Sequence, residues 1–262
     1  MTWTTRPRSE IGGLAATQSG SGPDVLLLHG VGLRAEAWGA QLDGLASAGR
    51  LTAPDMPGHG ESPLNTSNGK LSDYRDAVQS VLDCLNGPVI VVGHSMGAMI
   101  ALDLAAKATD QVRGVVALNA VFERSAKAAQ AVQDRAAKLD GKTQVDPTDT
   151  LHRWFGDVAS PERDACYEWL TAMDPAAYKL AYSVFAQSQS PRREALGKIR
   201  FPALFLTGSL EPNSTPDMSR TMAEVAPNGC AQIIDGAAHM LPMTHAIHVN
   251  TAISSLLSEI QP

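Results

Sequence analysis

Cysteine, clustered positive charge and long apolar runs are what this 262-residue chain has least of, and each shortage removes a class of protein. Its three cysteines, Cys84, Cys166 and Cys230, are odd in number and widely separated, with no paired metal-ligand spacing. They read as reduced thiols packed as small core residues, so neither a disulfide framework nor a cysteine-rich metal centre is expected. Lysine and arginine number 21 against 27 aspartates and glutamates, a net charge of −6, and no stretch gathers basic residues. The electrostatic footprint of a nucleic-acid or anionic-membrane binder is missing, and a small-molecule partner is expected instead. No window approaches the roughly 20 apolar residues that span a bilayer. Met1 to Glu10 is polar with no apolar segment behind it, so no export signal is read there and a cytoplasmic setting is expected. Internal repeats and low-complexity tracts are also absent.

What is present is ordinary in amount: 44% apolar and 18% charged residues, enough for one large α/β domain with a buried core. The stretch that organises it runs from Pro88 to Met99. Four β-branched residues, Val89 to Val92, predict a strand buried on both faces, and the small apolar residues from Met96 to Ala106 predict a helix. Between them Ser95 is flanked by Gly93 and Gly97, the Gly-x-Ser-x-Gly pattern of a nucleophile elbow. Such a turn holds the serine in strained backbone geometry, and the following helix N-terminus favours negative charge beside it. The pattern alone also fits an ordinary strand-to-helix turn with serine at the helix start; the flanking strand and helix favour the elbow.

Around it the chain alternates. Trp3 to Arg8 and Ile11 to Gln18 are expected as an antiparallel start to a sheet. Parallel-type strands are expected in the run from Asp24 to Gly30 and at Arg50 to Ala53, Val112 to Ala120, Phe201 to Gly208 and Ala231 to Ile234. Helices are expected over Glu36 to Ala48, Leu71 to Asn86, the stretch capped by Thr215-Pro216 through Ala226, and Met243 to Ile260. From Val121 to Lys198 the β-rich signal disappears, and helical patterns at Ser125 to Leu139, Thr148 to Phe155, Pro161 to Met173 and Pro175 to Gln187 predict a helical cap. The expected organisation is a core of residues 1–120 and 199–262, a mostly parallel sheet flanked by helices, with the cap at 121–198.

In open α/β sheets, ligands bind where the carboxyl ends of the strands line up. Ser95, Glu211 and His239 each follow a strand, in the order Ser, acid, His that the elbow fold uses. The reading is therefore Ser95 as nucleophile, His239 as general base and acid, and Glu211 as the carboxylate fixing the imidazole tautomer. Asp217 and Asp235 are rival acids, although Asp217 falls in a first helical turn, where a carboxylate has a structural reason to be. The loop His29-Gly30-Val31-Gly32 is expected to offer the Val31 N–H as an oxyanion donor beside that of Met96. Asp55 and His59 lie in a tight turn and read as structural. His29 and His94 read as packing and hydrogen-bonding residues near the oxyanion loop and the serine. His245 and His248 read as a surface pair rather than a metal site. Trp154, Tyr182 and Phe185 are the candidate substrate-binding side chains of the cap.

These motifs, His29-Gly30, Asp55-x-Pro57-Gly58-His59-Gly60-x-Ser62, Gly93-His94-Ser95-Met96-Gly97, Gly208-x-x-Glu211 and Gly236-x-x-His239, span nearly the whole chain, which resembles the α/β-hydrolase superfamily. Its His-Gly-Val-Gly-Leu and Asp55 loops are similar to those of small capped esterases and 3-oxoadipate enol-lactonases. Most relatives carry aspartate where this chain has Glu211. The resemblance implies a hydrolase, without cofactor or metal, that cleaves a small carboxylic ester or lactone through an acyl-enzyme. Hydrolysis of a carbon–carbon or amide bond by the same residues, and a non-catalytic small-molecule receptor on the same fold, are the alternatives. Substrate identity and oligomeric state are not written in the sequence.

Overall fold

The computed structural model describes residues 3–64, 69–107, 110–189 and 191–260. The strands are β1 (Ser9–Ile11), β2 (Leu14–Ser19), β3 (Asp24–Leu28), β4 (Arg50–Pro54), β5 (Val89–His94), β6 (Val112–Leu118), β7 (Ala203–Gly208) and β8 (Gly229–Ile234). Among the described residues they form one sheet in the order β1-β2-β4-β3-β5-β6-β7-β8. β1 pairs with β2, and β2 with β4, antiparallel, and every other pairing is parallel. The central strands are apolar at nearly every position because both faces are covered. In β5, Val89 and Val91 enter one core cluster while Ile90 and Val92 enter the other. Each such buried side chain stabilises the fold by roughly 1.5–3 kcal/mol.

Helices α1 (Gly39–Gly44), α2 (Leu71–Leu82) and α3 (Met96–Ala105) follow β3, β4 and β5. The segment between β6 and β7 carries α4 (Ala126–Ala137), α5 (Thr148–Phe155), α6 (Pro161–Ala172), α7 (Pro175–Gln187) and the single turn α8 (Arg193–Leu196). Ser125, Ser160 and Asp174 each accept a first-turn N–H through the side chain, and Pro161 and Pro175 occupy first-turn positions where no amide proton is needed. α9 (Pro216–Val225), α10 (Leu241–Thr244) and α11 (Ala246–Ile260) complete the chain. α2, α3 and α9 cover one face of the sheet, and α1 and α11 the other. No helix among the described residues is long and apolar enough to cross a membrane.

Four local expectations are corrected. Trp3 to Arg8 is not a strand: the Arg6 N–H donates to Glu36 Oε1, and Arg8 pairs with both Glu36 and Asp55, so side chains take the place of a ladder. The run from Ile11 to Gln18 is interrupted by Gly12 and Gly13, both at positive φ (58° and 82°), which turn β1 into β2. The helix expected over Glu36 to Ala48 is a 3-10 turn at Ala35–Trp38 followed by the short α1. The C-terminal helix is broken at His245, where the Thr244 hydroxyl bonds back to the Met240 carbonyl, and so divides into α10 and α11.

Candidate active site

Ser95 stands between β5 and α3 at φ 57° and ψ −118°, a conformation that costs a non-glycine residue energy. Its N–H donates to the Leu118 carbonyl at 2.9 Å, tying the turn to β6. A Cβ on Gly93 would land on the Gly97 carbonyl, and one on Gly97 on the Leu28 carbonyl, so the two glycines let β5, α3 and β3 close on one another. The turn places Ser95, 9% exposed, on the wall of a cavity of about 410 Å³ that His239, Gly30 and Val31 also line.

His239 follows β8 and Glu211 follows β7. The imidazole Nδ1–H donates to Glu211 Oε2 at 2.7 Å. Glu211 Oε1 accepts the N–H groups of Asn213 at 2.8 Å and Ser214 at 3.3 Å, and Asn119 Nδ2 donates to Oε2 at 3.3 Å. Burial alone would raise the carboxyl pKa, but His239 and the two backbone donors outweigh it and hold the group below its ordinary range. The extra methylene of glutamate is accommodated because its own loop grips the second oxygen. Asn119, at the end of β6 with φ 50°, is a member of the site that the sequence does not single out; its signal is its place at a strand's carboxyl end. No hydrogen bond joins the Ser95 hydroxyl to His239 among the described residues, and such contacts commonly tighten only with substrate in place.

His94 Nε2–H donates to the His239 carbonyl at 2.8 Å. Burial first, and then the neighbouring His239, push its pKa down to about 3, so the ring is neutral and carries its one proton on that nitrogen. His29 bonds through Nδ1 to the Gly30 carbonyl and through Nε2 to the Met56 N–H, holding the oxyanion-type loop against the Asp55 turn. A Cβ on Gly30 would stand 3.0 Å from Ser95 Cβ, a tight contact that a glycine avoids. The N–H groups of Val31 and Met96 have no protein acceptor among the described residues. The Met96 side chain is fully buried and does not line the cavity.

The rival acids are elsewhere: Asp217 pairs with Arg220 at 2.8 Å, and Asp235 accepts from Ser209 at 3.1 Å. Asp55 is structural, taking Arg8, the Ala35 N–H and the Glu61 N–H, and His59 Nδ1 bonds to the Pro57 carbonyl. His245 and His248 have ring centroids 6.0 Å apart, and no group of three metal-ligating side chains occurs among the described residues. From α5, Trp154 stacks on His239 with centroids 5.5 Å apart and planes 24° inclined. Tyr182 and Phe185 also line the cavity, as do Arg124, Arg135 and Arg153, which the sequence does not single out.

Residues 25–249 match the alpha/beta hydrolase family. The chain is 35% identical to an (E)-2-((N-methylformamido)methylene)succinate hydrolase of Acinetobacter baylyi, over 92% of each chain. Among solved structures, it is similar to a malate-bound thermophilic esterase from Thermogutta terrifontis, with a TM-score of 0.84 and 24% identity over 95% of this chain and 94% of that one. An enol-lactonase from Burkholderia xenovorans superposes with a TM-score of 0.82 and 20% identity, over 96% of this chain and 100% of that one.

Proposed function

The chain belongs to the alpha/beta hydrolase family, and from that membership and the cavity geometry we propose a serine hydrolase that cleaves a small carboxylic ester or lactone through an acyl-enzyme. The observation that carries this reading is the 2.7 Å bond from His239 Nδ1 to a buried, ionised Glu211, with Ser95 on a strained elbow in the same cavity. Glu211 fixes the tautomer that leaves Nε2 free to take the serine proton. Ser95 Oγ then attacks the carbonyl carbon, and the N–H groups of Val31 and Met96 receive the oxyanion. His239 returns the proton to the leaving oxygen, and next removes one from the water that releases the acid and restores Ser95.

Hydrolysis of an amide is a second reading, favoured by the Acinetobacter relative, whose name carries an N-methylformamido group. The same residues serve, with the proton from His239 delivered to nitrogen.

The test is steady-state turnover of p-nitrophenyl esters, lactones and N-acyl enamines by the purified protein beside Ser95→Ala, with fluorophosphonate labelling followed by mass spectrometry. Labelling of Ser95 and loss of nearly all turnover in the variant are expected. Undiminished turnover in Ser95→Ala would refute the mechanism, and absence of both labelling and turnover would favour a receptor.

A further inference from the structure

Arg124 precedes α4, Arg135 lies on α4 and Arg153 on α5, and all three residues line the cavity that holds Ser95. None has a carboxylate partner among the described residues. Arg124 donates to the carbonyls of Phe185 and Ser188 at 3.2 to 3.4 Å and packs over the Phe185 ring at 4.5 Å. Arg135 gives one bond, from Nε to the Tyr182 hydroxyl at 3.1 Å, and Arg153 one, from NH2 to Thr150 Oγ1 at 2.9 Å. Most of the donor fork of the latter two is therefore uncommitted. Glu123, the acidic residue of the lining, is engaged by Arg193 at 2.6 and 2.8 Å and offsets none of them.

Uncompensated cations in a partly enclosed, mostly apolar cavity are costly, and burial lowers the pKa of Arg124 without making it neutral at any ordinary pH. A planar guanidinium is matched by an oxyanion able to accept two parallel hydrogen bonds. Elsewhere in this chain arginines are satisfied in that way, Arg50 by Asp24 and Arg8 by Glu36 and Asp55. Arg163, Arg192 and Arg200 also have no carboxylate partner among the described residues, but they stand outside the cavity that holds Ser95.

We propose that Arg124, Arg135 and Arg153 form a carboxylate-binding subsite, and that the substrate is a short acid derivative whose non-reacting end carries at least one free carboxylate. Three guanidinium groups suffice for two. This rests on the hydrolase reading, since it places the reacting carbonyl at Ser95 and the free carboxylate at the arginines. Remote binding of that kind orients the reacting carbon, and a neutral ester of equal length lacks it.

Calorimetric titration of the full-length Ser95→Ala protein with succinate, butyrate, dimethyl succinate and inorganic phosphate tests the subsite apart from turnover. Succinate and butyrate, which carry free carboxylates, are expected to bind at least tenfold more tightly than dimethyl succinate and inorganic phosphate. Arg135→Met and Arg153→Met, made in that protein, are expected to weaken succinate tenfold or more, with Arg153→Lys losing less. Circular dichroism checks folding, and if one arginine variant fails to fold the other decides. Succinate no tighter than dimethyl succinate, phosphate equal to succinate, or unchanged affinity in a folded arginine variant would overturn the proposal. Labelling of wild-type Ser95 without succinate binding overturns the subsite alone; succinate binding without labelling overturns the hydrolase reading and leaves the subsite standing.

Discussion

In the proposed mechanism the site uses the charge on Glu211 rather than its size. Its Oε2 is 2.7 Å from His239 Nδ1, and the other oxygen is held by two backbone donors, so the side chain can be neutralised in place. Glu211→Gln is expected to lower kcat by about 10³–10⁴-fold, because the amide can present N–H to the imidazole and select the wrong tautomer. Glu211→Asp retains the charge and is expected to lose much less; equal rates for the two variants would show that charge and tautomer do not matter here. His94 acts one bond further out. As a neutral ring donating to the His239 carbonyl, it holds the loop that carries the imidazole. His94→Phe keeps the ring and removes the donor, leaving a carbonyl short of its bond at a cost of about 1–3 kcal/mol. Its expected signature is a kcat reduced with KM nearly unchanged, and His94→Gln, which can still donate, is expected to recover part of it.

At the scale of elements, the elbow depends on three backbones meeting without a side chain between them. Gly97→Ala would drive a methyl into the Leu28 carbonyl, which belongs to β3 and cannot swing aside. A loss of stability of about 3 kcal/mol or more is expected, seen as a lowered denaturation midpoint or insoluble protein, whereas Gly197→Ala, at a helical φ of −63° with no atom nearer than 3.5 Å to the new methyl, should cost far less. This junction was legible in the sequence because its information is local: a β-branched run, a serine between glycines and a helical run lie within a dozen residues. Glu211 and His239 were legible for the same reason, each just past a strand. Trp154 over His239 was not legible as a contact, because it depends on how α5 meets the loop after β8, and helix periodicity says which residues share a face but not what that face meets. Asn119 was read as part of a strand that in fact ends at Leu118. The three cavity arginines were hidden differently: they are 11 and 18 residues apart in sequence, and only the fold brings them to one cavity and shows that none has a carboxylate partner among the described residues.

For the whole molecule, the loops at the carboxyl edge of the sheet carry an acid sensitivity. His29, His59 and His94 are buried there, and burial is the first cause in each case of a pKa below the usual histidine range, to about 3 for His59 and His94. Asp55 and Glu36 pull His29 the other way, as Glu211 does His94, but burial wins in both. In the unfolded chain all three protonate near pH 6.5. Below that value the unfolded state binds more protons than the folded one, so stability must fall as pH falls. Each fully differential proton is worth about 1.4 kcal/mol per pH unit, and three together about 4, against a total of about 5–15 kcal/mol for a typical domain. Glu36 adds to this at lower pH. Burial alone would raise its carboxyl pKa, but Arg8, the Arg6 N–H and Arg34 bring it down to about 2, and the stability it gives is complete above pH 4.5 and lost as pH falls towards 2. Urea denaturation followed by circular dichroism at pH 7, 6 and 5 should therefore show a steep loss of unfolding free energy on the acid side, before the carboxylates titrate. His59→Asn, which replaces a ring whose Nε2 has no partner, should reduce that slope by about one proton. A midpoint that does not move between pH 7 and pH 5 would mean that these rings are protonated in the fold, and with it would fall the neutral His94 on which the placement of His239 depends.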